Sequence, residues 1–532
     1  MNALLGKITK VRKLAGRKTT PDGLRRLEVS FKPVCVMPSR LKAPAWLKDE
    51  QLKVTHEVAD AREVGGVGDS IVLTPGESAR WLRPLAVDPP VARGAVPSRI
   101  RLTLRWWKKG RPGEYTVRAA GRRRTGRFVR RGGVYTATVA PRELLGPAAA
   151  PPADLEVTVK GFDGLTVGCA VLPGAGPGHY RLRTAGGPRD RLESHWYSLD
   201  VCATRGGGGI CRLVETARDT DHFRRDEELI GGVFDYGGHV DVVELGWRDR
   251  LRDVSVSSAT GQREAEATRL CLAGPIDEPA GIHTTVDYTL FDDLPLLLLH
   301  RRVLRGKAKK KDEKPDDRRP KEPVEKMTRV RLGFRAAYLV EANGRWGSRI
   351  LSADGDRLAA VRHAQIHAWF WNRWRLTNGW AVMEHPGRRE CMLYVTDAAS
   401  PPVLGAWRGR QVVTLEPRWP AQPLRPQGGA GLALGICAGE VCGAHVGGAW
   451  VAARRPAADG GLSCALVGRF RNGPAEPAAE FRAGDAVAPA ELRRLVLPGV
   501  GSVHVAEARL GGATMNDRFD ATAGGVPARR QP

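Results

Sequence analysis

RLESHWYSLDVCATRGGGGICRLVETARDTDHF (Arg191–Phe223), continuing RRDEELIGGVFDYGGHVDVVELGW to Trp247, is the stretch that decides the fold. His195 to Ala203 reads as a strand in which Tyr197, Leu199 and Val201 alternate with Trp196, Ser198 and Asp200. That two-residue period buries one side of a sheet. Gly206 to Gly209 then permit a tight reversal at positive φ, and Ile210 to Glu215 reads as the returning strand. A polar loop crowded with Asp, His and Tyr follows, which suits an all-β domain that handles sugars.

The same alternation recurs on both sides of this hairpin. GPGHYRLRTAG (Gly176–Gly186), LESHWYSLDV, GGGGICRLVET, GQREAEATRLCL (Gly261–Leu272) and TTVDYTLFDDLPLLLLHRRV (Thr284–Val303) stand in that order. Together they resemble the junction in alpha-mannosidase-like glycoside hydrolases where a small β-sandwich hands over to a large antiparallel supersandwich of the galactose-mutarotase-like fold. The resemblance covers roughly residues 170 to 450, with Glu193-Ser194 where that family tends to have Glu-Asn. It implies an all-β chain of small β-sandwich modules followed by a galactose-mutarotase-like supersandwich. The family's metal and nucleophile lie in an upstream α/β barrel, which nothing before residue 170 resembles, so its active site is not carried over.

At 532 residues and 42% hydrophobic content the chain is long enough for several buried cores. Its 63 Gly and 37 Pro, without a fixed repeat, favour many short strands over long helices. Four regions follow. Residues 1–95 are a β-rich N-terminal region. Residues 96–185 read as an immunoglobulin-like β-sandwich, from the runs IRLTLRWW, EYTVRAA, GRFVRR, GVYTATVA and LEVTVKGF. Residues 186–455 are the supersandwich, interrupted at 305–326 by RGKAKKKDEKPDDRRPKEPVEK, too charged and apolar-poor to order itself. Residues 456–532 are a C-terminal β-rich segment ending in a flexible tail.

The formal net charge of +26 raises nucleic acid or an acidic polymer as partner, although a compositional taste for arginine accounts for it equally well. The charge concentrates between Arg101 and Arg131, with ten Arg and two Lys against one Glu. Trp106, Trp107, Tyr115 and Phe128 are interleaved there, either as stacking faces or as inward core residues beneath a solvated sheet. The N-terminal residues lack the apolar core of a signal peptide, and no apolar run is long enough to span a bilayer. Nine singly scattered cysteines do not form a disulfide framework, so a cytoplasmic protein with no membrane partner is expected.

Candidate chemistry falls into three groups. A hemiacetal or glycosidic reaction needs one proton given and one taken, and His239, Asp241, Glu244, Glu384 and His385 are the candidate acid and base residues. Asp235, Tyr236, Trp371, Asn372, Trp374 and Asn378 are candidate sugar contacts, flat rings for apolar sugar faces and polar groups for hydroxyls. Cys437, Cys442 and His445, or His363 and His367, are the nearest approach to a metal set, but their spacing lacks a zinc pairing and no metal is assigned. Phosphate-loop, nucleophile-elbow and zincin motifs are missing, and no cofactor is expected. The leading expectation is a protein that binds a glycan or polysaccharide, as accessory to a separate catalytic subunit. The alternatives are a glycoside hydrolase, lyase or epimerase using the acid and base residues, and a binder of nucleic acid or acidic polymer through the basic sandwich.

Overall fold

Among the described residues period-two alternation becomes almost entirely antiparallel sheet, and the helical turns, such as Pro75–Leu82, are short. The computed structural model describes residues 3–14, 25–37, 41–58, 60–73, 75–82, 84–89, 91–146, 153–163, 165–174, 176–184, 187–202, 209–215, 242–245, 248–249, 258–277, 281–306, 329–333, 336–339, 349–362, 372–385, 389–408, 412–425 and 428–529. The protein is all-β. Two compact units form, one from most of residues 1–175 and the other from most of residues 190–532.

The first unit begins with a five-stranded sheet in which Ala3–Lys13 pairs with Arg25–Met37 and Ser70–Leu73. Its inward residues Leu4, Ile8, Val29, Phe31 and Leu52 gather around Trp81. A sandwich follows. Leu85–Asp88, Ile100–Leu104, Val134–Val139 and Val129–Arg131 form one sheet; Val91–Arg93, Thr166–Leu172, Ala153–Val159, Tyr115–Ala119 and Arg122–Gly126 form the other. Ile100, Leu102, Leu104, Val117, Val157 and Val171 are fully buried between them.

The second unit is built on a nine-stranded sheet whose faces are both covered. Leu296–Arg305 lies inside it, paired with Ile282–Phe291 and with Ala430–Gly439. Leu297, Leu299 and Val303 enter one core, while Leu296 and Leu298 enter another on the opposite face. The apolar run at 295–299 is therefore a strand buried on both sides, where alternation is lost because neither face meets water. Each such leucine contributes about 1.5–3 kcal/mol through burial.

On the first face stand the Tyr197–Cys202 and Gly209–Glu215 hairpin and an eight-stranded sheet containing Val403–Arg408 and Val412–Arg418. On the second face stands a five-stranded sheet containing Gly448–Pro456, Leu462–Phe470 and Gly501–Leu510. That sheet is also covered on its outer side, where Trp450, Leu466, Phe481 and Phe519 meet around a three-stranded sheet. Layering of this kind is a supersandwich.

The hairpin keeps Tyr197, Leu199 and Val201 in the core, as the alternation implies, but Ser198 and Asp200 are buried as well. Asp200 survives burial by accepting from Arg191, whose Nη2 lies 2.7 Å away. Ser194 accepts the backbone N–H groups of Trp196 and Tyr197 at 3.1 and 3.0 Å, so a hydroxyl closes the turn where the resembling family has an amide. Gly206 to Gly208 of the expected glycine turn, and nearly all of the charged 305–326 insertion, lie outside the described residues, while Gly209 begins the returning strand.

The segment expected to fray is docked as far as 529. Phe519–Ala523 pairs with Ala478–Ala483, Val526 accepts from Trp450 Nε1 at 2.9 Å, and Arg529 N–H donates to Cys442 at 3.0 Å. Among the described residues no helix is long and apolar enough to cross a membrane.

Candidate functional site

One face of the Leu296–Arg305 strand changes character along its length. Leu296 and Leu298 are core, and then His300, Arg302 and Leu304, on the same side, line an open cleft of about 260 Å³. The change occurs where the covering sheet runs out, since Gly499, in the turn between Arg493–Leu497 and Gly501–Leu510, is itself a wall of the cleft. Asp397, Ser400, Trp419 and Gln422 complete the polar and aromatic lining. Gly431 sits beneath them. A Cβ there would stand 3.1 Å from Arg302 Cγ and 3.3 Å from His300 Nε2, so the missing side chain keeps the floor open.

Asp287, on the neighbouring strand and opposite His300, organises the charge. It is 3% exposed, forms an ion pair with Arg269 at 3.1 Å and accepts from Arg302 at 3.4 Å. Burial, reinforced by this carboxylate, pushes the Cys271 thiol up to about 11, so it stays protonated. Burial and then the Arg302 guanidinium push His300 below its ordinary value, with Asp287 opposing them and Arg269 adding to them. The imidazole is therefore neutral at neutral pH and offers one donor and one acceptor. With Arg302 as donor, Asp397 as acceptor, and Ser400 and Gln422 as both, the wall suits a ligand rich in hydroxyls.

Those residues singled out in the sequence that are described lie elsewhere. Glu384 is 6% exposed, pairs with Arg349 and accepts the Cys442 thiol at 3.1 Å. Its carboxylate is thus held between a guanidinium and a thiol, the latter kept well above its usual range by its bond to Cys391 and by burial. Glu384 faces Cys391, which faces Gly439, whereas His300 faces Ala433 on the same Ala430–Gly439 strand. Six residues of strand separate the two positions, about 20 Å.

Asn378 is fully buried and donates to Gly355 at 3.1 Å and Val446 at 2.7 Å, tying two loops. Trp374 packs against the core, and its buried indole nitrogen has no hydrogen-bond partner among the described residues. Glu244 lies in Val242–Leu245 opposite Arg331, His385 ends Trp380–His385 opposite Glu390, and Asn372 begins Asn372–Arg375 opposite Ala406. Asp235, Tyr236, His239, Asp241 and Trp371 lie outside the described residues, as do His363 and His367. Cys437 is core, and His445 is the exposed last residue of Val441–His445, its Nδ1 accepting from Gly447 N–H at 2.7 Å.

Sequence reading passed over His300, Arg302, Asp287, Asp397 and Gln422. The available signal was HRRV after PLLLL, where His300 and Arg302 put polar groups on a face that had been apolar two and four residues earlier.

No family model matches the chain, and no curated protein matches it. Among solved structures it is similar to a galactose mutarotase related enzyme from Lactobacillus acidophilus, with 14% identity, 49% of this chain and 97% of that one covered, and a TM-score of 0.30. It is also similar to a putative aldose 1-epimerase from Klebsiella pneumoniae, with 10% identity, coverage of 47% and 79%, and a TM-score of 0.32. A GH36 alpha-galactosidase from Geobacillus stearothermophilus has 10% identity, coverage of 47% and 40%, and a TM-score of 0.32. The chain thus spans less than half the length of that galactosidase. At such identities and TM-scores, function is read from the chain's own residues.

Proposed function

We propose that this chain binds carbohydrate, a glycan or polysaccharide, in the cleft beside Asp287 and His300. The observation that carries the reading is the lining itself. A neutral imidazole, a guanidinium, a carboxylate, an amide and a hydroxyl converge around an opening kept clear by Gly431. Hydroxyl-rich ligands are recognised by such mixed donors and acceptors rather than by net charge. The resemblance of residues 176–303 to the junction of alpha-mannosidase-like enzymes supports the same reading, with the chain as accessory to a separate hydrolase. A cytoplasmic setting belongs to it too, supported by nine singly scattered cysteines.

The test is a glycan-array screen of the purified protein at low and at physiological salt, repeated with Arg302→Ala. Selective binding to neutral glycans that persists at the higher salt and falls with Arg302→Ala supports the proposal. Neutral-glycan binding untouched by that substitution, or no binding to neutral glycans at all, overturns it. Turnover of a bound sugar, followed by its anomeric signals, would move the reading from binding to catalysis.

A further inference from the structure

The geometry points to a second binding surface, in the first unit, that grips the phosphate backbone of double-stranded nucleic acid. It lies where the chain passes from one sheet of the sandwich to the other. Arg122–Gly126 is the edge strand of the five-stranded sheet and Val129–Arg131, directly after it, is the edge strand of the four-stranded sheet. Arg122, Arg123, Arg124, Arg127, Arg130 and Arg131 are all exposed on these two strands and the step between them. Arg124 and Arg127 have acidic partners, Glu143 and Glu114. Among the described residues no carboxylate pairs with Arg122, Arg123, Arg130 or Arg131.

Two further observations choose the ligand. Arg123 stands directly across from Arg118, also exposed, and Glu156 stands across from Arg118 on its other side, so the row carries two guanidiniums to one carboxylate and favours an added anion. None of the interleaved aromatics stands exposed: Tyr115 is buried, Trp106, Trp107 and Phe128 are half-buried against the core, and Trp106 and Trp107 pack edge-on against Phe162 at 5.3 and 5.1 Å, and Phe128 against Tyr115 at 5.1 Å. Single strands are held largely by base stacking, so a dense cationic strip without platforms fits a duplex, whose backbone carries one negative charge per about 1.7 Å of axis. Arginine forks match phosphate oxygens, and such contacts position the protein without reading sequence.

The experiment uses the full chain and a short labelled DNA duplex, with anisotropy followed between about 50 and 200 mM salt. A variant with Arg122, Arg123, Arg130 and Arg131 changed to Gln is compared with one in which Arg357, Arg375, Arg425 and Arg518 are changed to Gln. Both lose four charges, so general electrostatic attraction falls equally in each. The edge variant is expected to bind roughly tenfold more weakly or worse, with a log–log salt slope shallower by about 3. The control variant is expected to stay within about twofold of the parent. Matching far-UV spectra and melting curves establish that both variants are folded. Equal losses in the two variants, an edge variant that binds like the parent, or a parent that prefers heparin or single-stranded DNA to the duplex each overturns the proposal.

Discussion

Asp287 and His300 face each other across adjacent strands of the nine-stranded sheet, the carboxylate almost wholly buried and the imidazole on the cleft wall. That carboxylate does not decide the protonation state of the site. Burial and Arg302 hold His300 below its ordinary 6.5, against the pull of Asp287. A base depressed in the folded state stabilises the fold fully above its unfolded value, and that contribution is lost as pH falls below 6.5 toward the folded value. His504, depressed by burial with Arg494 and Arg469, acts in the same direction. The melting temperature should therefore drop between pH 7.5 and pH 5, and His300→Gln should shrink the drop. An unchanged pH profile in that variant would remove His300 as a source.

Gly431→Val places a branched side chain against His300 and Arg302. Extended strand accommodates valine readily, so the fold should persist while the cleft closes. Glycan affinity is expected to fall at least roughly tenfold, which is about 1.4 kcal/mol, with the melting temperature little changed. Calorimetric titration checks it, and retained affinity would place the ligand elsewhere.

Arg454 and Glu440 form a buried two-pronged pair at 2.9 and 3.0 Å. Arg454 also donates to the carbonyls of Thr514, Met515 and Asp517. Arg454→Met should destabilise the fold by about 3–5 kcal/mol in urea unfolding, because a buried Glu440 carboxylate loses its two-pronged guanidinium contact. Adding Glu440→Leu should recover part of that loss but not all, since the three carbonyls remain unpaired. Full additivity of the two changes would contradict the coupling.

Tyr197 joins the hairpin to the central sheet. Its hydroxyl donates to the Pro295 carbonyl and accepts the Ala438 N–H, both at 2.7 Å. Tyr197→Phe should cost about 1–3 kcal/mol, measured by denaturant unfolding, because two buried backbone groups lose their partner. A loss below about 0.5 kcal/mol would mean that water replaces the hydroxyl.

Where the chain would be sheet was legible locally. Tyr197, Leu199 and Val201 are inward because successive side chains of a strand point to opposite faces, and no distant contact is needed to read that. The aromatic segment was less legible. Trp374 and Trp380 have the composition of a sugar platform, yet Trp374 packs on one core and Trp380 is fully buried in another. Ring chemistry is the same in both settings, and only the neighbours differ. Glu384 was readable as an acid or base, whereas its commitment to Arg349 and Cys442 depends on a strand pairing and on a thiol contributed from residue 442.

The sequence by itself determined the all-β class, the inward face of its strands and the concentration of arginine between 101 and 131, because periodicity and composition are properties of neighbouring residues. Tertiary structure alone decided that Leu296 to Leu299 are covered on both faces, that the arginines fall on two consecutive edge strands, and that the cleft gathers residues from 300 to 499. Those outcomes depend on which sheet packs on which and where the covering sheet ends. They are set by contacts between segments far apart in the chain, which no local pattern records.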